Sequence, residues 1–433
     1  MPDQAKGIPD RKNYGDLQSL PTDQILTLVR QLHKADRSGR HEDLRIGNEN
    51  GLYSWALPKE LPEQPGKKHL AVEQPVHRFS YGDFQGVIPY GYGKGLVERK
   101  EKSPVLVVKN TPGHIIFTKG NRNDPLYHLV NTRGKNWISF MDDGRQPDAI
   151  TGYKKEHFKS IPIDEASKLI AAGATASPKI DGAGSLAYLG PHGIRVYGIR
   201  PNAEGRRPEY TDLIGGLRGA RVPRELANTI LRSEIYGERN GKVISANELA
   251  GMLNSSPMNA ARRRAEGVQL MLAALAVNKG GRDQYDPAAV AAAVKKLNNP
   301  LIKGVEYAQG DRAMKLLDSV RKGTYPLTRE GVVVHQPGKR PLKAKFTDDY
   351  DVVLRNVFKA DTQADNRAGG FEYSLPGSDR IIGRVGTGFD HATLRDMLAN
   401  PNSYIGRMAR IKSQQQYPSG AFRAPSFISF KED

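Results

Sequence analysis

Between residues 25 and 139, short apolar runs alternate with Gly, Pro and Asn punctuation, at 28–32, 52–57, 69–72, 105–108, 115–118, 127–130 and 137–140. Runs of that length between turn residues predict strands, so this stretch is expected to form a compact all-β unit, a barrel or sandwich. The first element is ambiguous, because Ile25, Leu28, Val29 and Leu32 also fit a helical stripe. Residues 1–24 read as a loose polar arm and 142–153 as a polar linker. From 160 to 346 the pattern changes to alternating helices and strands, which implies an α/β domain. Helices are expected at 164–172, closed by Gly173, at 223–230, at 259–277, at 287–297 behind the Asp286–Pro287 cap, and at 312–321, closed by Gly323. Strands are expected at 185–188, 194–199, 231–236, 331–335 and 342–346. Beyond 351 the pattern is strand-rich again, at 352–357, 370–373, 381–385 and 404–411, with one helix between Asp390 and Pro401. A short β-barrel with a single helix has the outline of an OB-fold. The chain is therefore read as multidomain: an arm (1–24), an all-β barrel (25–145), an α/β domain (155–347) and an OB-type barrel (348–433), with a hinge at 347–351.

Composition narrows the partners. Across 433 residues, 65 Lys and Arg stand against 47 Asp and Glu, a net charge of +18. Such a balance points to a polyanion, most often nucleic acid. With no cysteine, disulfides, thiolate zinc sites and cysteine nucleophiles are excluded, and any metal must be held by His, Asp or Glu. No apolar run approaches the roughly 18 residues of a membrane span, and Met1-Pro2-Asp3-Gln4 is polar and acidic. Neither a span nor a secretory signal is expected, and the location that fits is cytoplasmic.

The stretch Ser177-Pro178-Lys179-Ile180-Asp181-Gly182-Ala183-Gly184 carries the main candidate chemistry. To attack phosphorus, a lysine amine near pKa 10.4 must lose roughly three units, about 4 kcal/mol, which burial and neighbouring cations can supply. If the stretch is a strand, Asp181 shares a face with Lys179 and either orients the lysine or handles a sugar hydroxyl. Gly182 and Gly184 are expected to let backbone approach a phosphate.

Four further strings follow in fixed order: Tyr197-Gly198-Ile199-Arg200, Ser233-Glu234-Ile235-Tyr236, Glu330-Gly331-Val332-Val333 and Leu342-Lys343-Ala344-Lys345-Phe346. A nucleotidyl-transfer site needs a nucleophile, a sugar binder, carboxylates for Mg²⁺ and cations on the phosphates. In order and spacing, residues 160–433 resemble the covalent nucleotidyltransferase superfamily and, within it, the ATP-dependent DNA ligases. The resemblance implies ATP and Mg²⁺ as cofactors and a lysyl-AMP at Lys179. It also implies that Asp181 and Arg200 contact the sugar or the nicked strand, that Glu234 binds ribose and metal, and that Glu330 binds metal. Lys343 and Lys345 fall on the α-phosphate, and Lys431, in the closing Lys431-Glu432-Asp433, is the match for a residue that orients the pyrophosphate. Gly184 stands where the family commonly has arginine, and Leu270-Met271-Leu272 where an adenine-stacking aromatic is common.

In the front domain, His41, Asp43 and Arg45 are spaced by two, so on a strand all three face one way. With His33 from a neighbouring strand they make a facial site for Mn²⁺ or Zn²⁺, and Arg45 suits a phosphate. His77-Arg78-Phe79-Ser80-Tyr81 adds an imidazole and a phenol. The strings Ser54-Trp55-Ala56-Leu57-Pro58-Lys59, Leu70-Ala71-Val72-Glu73 and Asp83-Phe84-Gln85-Gly86-Val87-Ile88-Pro89 resemble the 3′-phosphoesterase module of bacterial end-joining ligases. That resemblance implies Mn²⁺ on His33, His41 and Asp43, with Arg45, His77 and Tyr81 acting on a 3′-phosphate. His69 replaces an arginine of that pattern.

These expectations combine into a monomeric ATP-dependent DNA ligase acting on double-stranded DNA with nicks or breaks, fused to a 3′-end-healing domain. Two other readings remain: an RNA ligase or capping-type transferase using the same lysine, and a ligase whose front domain is an inactive DNA clamp. If about six phosphates are contacted, log K for duplex DNA should fall against log salt with a slope near −5. A flat response in a salt titration of binding would contradict the electrostatic reading.

Overall fold

The computed structural model describes residues 19–360, 366–417 and 419–431. Most of the expected arm, and Glu432 and Asp433, lie outside the described residues. By internal contacts the chain divides into two units, one of residues up to 157 together with 180–305, the other of 158–179 with 306 onward. This division cuts across the domains read from the sequence.

The first unit begins with a closed barrel. Its strands are β1 (Ile25–Ala35), β2 (Gly39–Asn48), β3 (Gly51–Leu57), β4 (Lys68–His77), β5 (Gly86–Ile88), β6 (Gly95–Thr111), β7 (His114–Thr118), β8 (Tyr127–Arg133) and β9 (Asn136–Met141). They run in the order β1-β2-β3-β4-β9-β8-β7-β6-β5, and β1 also pairs with β6, which closes an eight-strand ring. The ambiguous first element is thus a strand. Even-numbered residues of β1 and β2, including Leu26, Leu28, Leu44 and Ile46, join Trp55, Phe117 and Trp137 in the core. Leu20 is 2% exposed in the same core, so the end of the arm is anchored. Arg30 and Glu42 are also on the even-numbered side, joined by Nε to Oε1 and Nη2 to Oε2 contacts of 2.9 Å each. Glu42 is fully buried.

A seven-stranded sheet completes this unit, built on Gly193–Gly198, Ala183–Gly190, Thr229–Arg239, Val268–Lys279 and Arg282–Gln284 in that order. The barrel packs directly against this part: Leu106, Val108 and Ile116 meet Met258 and Ala261 of the helix Pro257–Ala265. Lys109 Nζ donates to the His192 carbonyl at 2.8 Å, and the Gly216 N–H donates to Asp23 Oδ2 at 2.8 Å.

The second unit holds a four-stranded sheet in the order Lys159–Ser160, Leu342–Lys345, Gly331–His335, Thr175–Pro178. It is packed by the helices Ile163–Ala171 and Gly310–Lys322. A five-stranded antiparallel sheet follows in the order Gly383–Val385, Ala368–Ser374, Asp348–Lys359, Met408–Ser413, Ser426–Phe430. The helix His391–Ala399, capped by Asp390, separates its third and fourth strands in sequence. The Phe427 N–H reaches the Thr387 carbonyl at 2.8 Å, so the sheet curls until its two edges touch.

Several expected elements differ. The helix expected over 259–277 ends at Ala265, and Val268–Lys279 is a strand, because an all-apolar run buried on both faces lacks the period that separates strand from helix. The helix expected over 223–230 is only the short 3₁₀ turn Arg224–Leu226; Asn228 turns left-handed (φ 61°) and launches Thr229–Arg239. The linker contains a short helix, Asp148–Thr151. The strand expected from 404 starts at Met408. The hinge expected at 347–351 lies largely within a ladder, with Asp348 and Asp349 already paired to Ser413 and Lys412. Among the described residues no helix is long and apolar enough to cross a membrane.

Glu42→Ala should lower barrel stability by ~2–4 kcal/mol, because it leaves the buried Arg30 guanidinium with only the Glu101 carboxylate, 3.6 Å away. Denaturant unfolding of the full chain checks this, and a change below about 1 kcal/mol would mean that water reaches the pair.

Candidate functional site

The front-domain candidates are assembled by the alternation of β1 and β2. The register opposes Val29 to Arg45, Gln31 to Asp43 and His33 to His41. Since the even-numbered residues fill the core, these odd-numbered ones lie on the opposite face of the barrel wall. That face is covered by the 3₁₀ turn Phe79–Asp83, whose Gly82 packs on Val29 and Leu52: a Cβ there would sit 3.0 Å from Val29 Cγ2.

His33 Nδ1 lies 3.7 Å and His41 Nε2 3.6 Å from the Asp43 carboxylate. The ligand atoms of the three residues all fall within 4.8 Å of one another. The other ring nitrogens are engaged by backbone: His33 Nε2 with the Gly93 carbonyl at 2.9 Å and His41 Nδ1 with the Gly39 carbonyl at 3.0 Å. Those contacts place the protons on the outer nitrogens and leave the inner ones as lone-pair donors, as in metal-bound histidines. Burial raises the Asp43 carboxyl, but the neighbouring positive charge, that of Arg45 foremost, outweighs it and holds the group well below the usual range. Two imidazoles and a carboxylate fit Mn²⁺ or Zn²⁺ by donor type.

Arg45, 2% exposed, donates from Nη2 to Asp43 Oδ2 at 2.9 Å and from Nη1 to Gln31 Oε1. Its Nε is buried without a hydrogen-bond partner among the described residues. The guanidinium carbon lies 5.0 Å from the Tyr81 ring centre, and the His77 and Tyr81 rings are 5.0 Å apart. Burial, then the Arg45 charge, pushes His77 down to about 4, while burial pushes the Tyr81 phenol up. All six expected residues therefore converge. Gln31 was missed. Its side-chain amide holds Arg45 on one side and donates to the Tyr81 and Phe84 carbonyls, at 3.2 and 2.8 Å, on the other. The available signal was its spacing of two from His33.

In the second unit Lys179 follows the strand Thr175–Pro178, and its Nζ donates to Glu330 Oε2 at 2.6 Å. Glu330, 8% exposed, takes Lys345 on Oε1 at 2.8 Å. Lys343 is half-buried on the same strand; burial, then Lys345 and Lys179, pulls its ammonium pKa down. Thr328 was also missed: its hydroxyl donates to the Lys179 carbonyl at 2.7 Å and accepts from the Glu330 N–H at 3.0 Å. Lys431 contacts Asp351 Oδ2 at 2.5 Å.

In the first unit Asp181 is half-buried between strands, Arg200 is exposed beyond Gly193–Gly198, and Glu234 is half-buried within Thr229–Arg239. The shared strand face expected for Lys179 and Asp181 is not formed, because the strand ends at Pro178 and the next, Ala183–Gly190, belongs to another sheet. The two glycines are accounted for by packing. A Cβ on Gly182 would stand 2.3 Å from the Ile235 carbonyl oxygen, and one on Gly184 2.8 Å from Ile199 Cγ2.

Comparison with known proteins gives four findings. Residues 31–104 match a family model described as the DNA Ligase D 3′-phosphoesterase domain. The multifunctional non-homologous end joining protein LigD of Mycolicibacterium smegmatis is 28% identical over 400 residues, which cover 86% of this chain and 49% of that protein. LigD of Pseudomonas aeruginosa is 31% identical over 195 residues, 42% of this chain and 22% of that protein. The chain thus spans about half the length of the first relative and less of the second. A solved Lig E DNA ligase is 15% identical, covers 64% of this chain and 98% of its own, and superposes with a TM-score of 0.47. The chain is similar to LigD, with residues 31–104 matching the LigD 3′-phosphoesterase domain.

Because Arg45 is the second cause of the His77 depression, Arg45→Met should raise the His77 pKa from about 4 part of the way to its ordinary 6.5. The stability that neutral His77 contributes is complete above 6.5 and is lost as pH falls toward about 4. NMR titration of the imidazole reads the shift; no rise in the variant would remove Arg45 as a cause.

Proposed function

We propose, from this similarity to LigD, that the chain is an ATP-dependent DNA ligase that joins 5′-phosphate and 3′-hydroxyl ends, with a front domain that heals 3′ ends. The observation that carries the joining half is the cluster of Lys179, Glu330 and Lys345, with Lys343 half-buried on the same strand. The deprotonated Nζ of Lys179 attacks the α-phosphorus of ATP: a P–N bond forms, the bond to the β-phosphate oxygen breaks, and pyrophosphate leaves. A DNA 5′-phosphate oxygen then takes the AMP as the P–N bond breaks. Finally the 3′-hydroxyl attacks that 5′-phosphorus and releases AMP. Lys343 and Lys345 neutralise phosphate charge, Asp181 and Arg200 contact sugar or nicked strand, and Lys431 orients the pyrophosphate. Glu330 and Glu234 are oxygen donors of the kind Mg²⁺ takes, and the cation would add charge stabilisation at the phosphates. We read the curled five-stranded sheet as the OB-fold.

The front-domain reading is supported by His33, His41 and Asp43 beside the Arg45 Nε, which has no hydrogen-bond partner among the described residues. Those three residues would hold Mn²⁺, which polarises a phosphate ester when bound. Arg45 grips the phosphate in a dry site. His77, neutral at pH 7 with its pKa near 4, hydrogen-bonds rather than pairs as a cation, and the Tyr81 phenol stays protonated.

The test is sealing of a nicked duplex bearing either a 3′-hydroxyl or a 3′-phosphate, with ATP, Mg²⁺ and Mn²⁺. Lys179→Ala should abolish sealing of both, together with covalent labelling by ATP carrying α-³²P. His41→Ala should stop release of the 3′-phosphate yet leave the 3′-hydroxyl nick sealed within about twofold. Sealing of RNA ends alone would overturn the joining half, and undiminished phosphate release in His41→Ala the healing half.

A further inference from the structure

The most exposed apolar side chains of the barrel fall together on one hairpin. Val87, Tyr90 and Tyr92 are 68%, 67% and 74% exposed, and all lie on β5 or on the turn between β5 and β6. This turn is fastened to the candidate metal site. The Gly93 carbonyl, one residue beyond Tyr92, engages His33 Nε2 at 2.9 Å, and a Cβ on Gly93 would already touch His33 Cε1 at 3.6 Å. The Asp36 N–H donates to the Lys94 carbonyl at 2.8 Å, with Lys94 Nζ 2.9 Å from Asp36 Oδ2. At Gly95 (φ +153°) a Cβ would lie 2.1 Å from the Lys34 carbonyl oxygen, so the hairpin sits tight on β1. Gly91 (φ +89°) makes the bend between the two tyrosines.

Water-exposed tyrosines on a strapped turn have no packing role. Phenol rings on a turn whose Gly93 touches His33 offer what a nucleotide end requires, since every base has a π-face that stacks on an aromatic whatever its sequence. We propose that Tyr90 and Tyr92 form a stacking platform for the unpaired base at the 3′ terminus of a DNA strand, presenting its 3′-phosphate to Arg45 and the His33, His41, Asp43 cluster. This rests on the front domain acting at 3′ ends. It implies a preference for frayed or single-stranded 3′ ends over fully stacked ones.

The test uses the full chain with Mn²⁺ and two DNA substrates ending in a 3′-phosphate, one with 2-aminopurine as terminal base and one with an abasic terminal sugar. Binding should quench the 2-aminopurine fluorescence. The double variant Tyr90→Ala, Tyr92→Ala should lose the quench and raise KM for phosphate release about tenfold, with kcat changed less than about twofold. Tyr90→Phe with Tyr92→Phe should restore both, because stacking needs the ring and not the hydroxyl. The abasic end should bind the wild type as weakly as the alanine variant binds the normal end. Undiminished quenching and KM in the alanine variant would overturn the platform, whether the pair is idle or serves a protein partner. Absence of phosphate release by the wild type would instead count against the front-domain reading, while the quench still decides the platform.

Discussion

The front domain depends on one constraint, the two-residue period of β1 and β2 locked by barrel closure. The same pair of strands supplies Leu26, Leu28, Leu44 and Ile46 to the core and Gln31, His33, His41, Asp43 and Arg45 to the opposite face. A slip of one residue would bury the polar set and expose the apolar one. Pairing of β1 with both β2 and β6 holds the register from two sides. Even the polar pair inside obeys it: Arg30 and Glu42 are even-numbered and meet side by side on the inner face of these two adjacent strands.

Around Lys179 a different economy holds, in which backbone and one hydroxyl set the geometry. Lys179 lies just past a strand end, held by its N–H on the Gly331 carbonyl at 2.9 Å and by its carbonyl on Thr328. Thr328 also fixes the Glu330 N–H, so lysine and carboxylate are placed by one side chain neither of them resembles chemically. Gly182 and Gly184 are required by close strand packing, and the tight fit at Ile199 explains why no arginine occupies position 184.

Much of this was legible in the sequence because the chemistry is local and periodic. His41, Asp43 and Arg45 announce a shared face by spacing alone, and the strands of the barrel are bounded by turn residues. Thr328 was not legible, since a hydroxyl signals nothing until its partners are known, and Gln31 offered only its spacing of two from His33. The run from Val268 to Lys279 failed for a different reason: a central strand covered on both faces carries no alternation, and its alanines and leucines suit a helix equally. The expected face shared by Lys179 and Asp181 failed because the chain leaves one sheet for another between them.

The helix Pro257–Ala265 has a further consequence. Its Met258 and Ala261 cover the barrel residues Leu106, Val108 and Ile116, and Met258 lies so near Gly120 that a Cβ there would stand 2.8 Å from its Cε. The apparent linker at 142–153 is therefore not a seam in the thermodynamic sense. Severing the chain there would leave a raw apolar surface on each fragment, so barrel and sheet have to be treated as a single cooperative body whose parts gain solubility from each other.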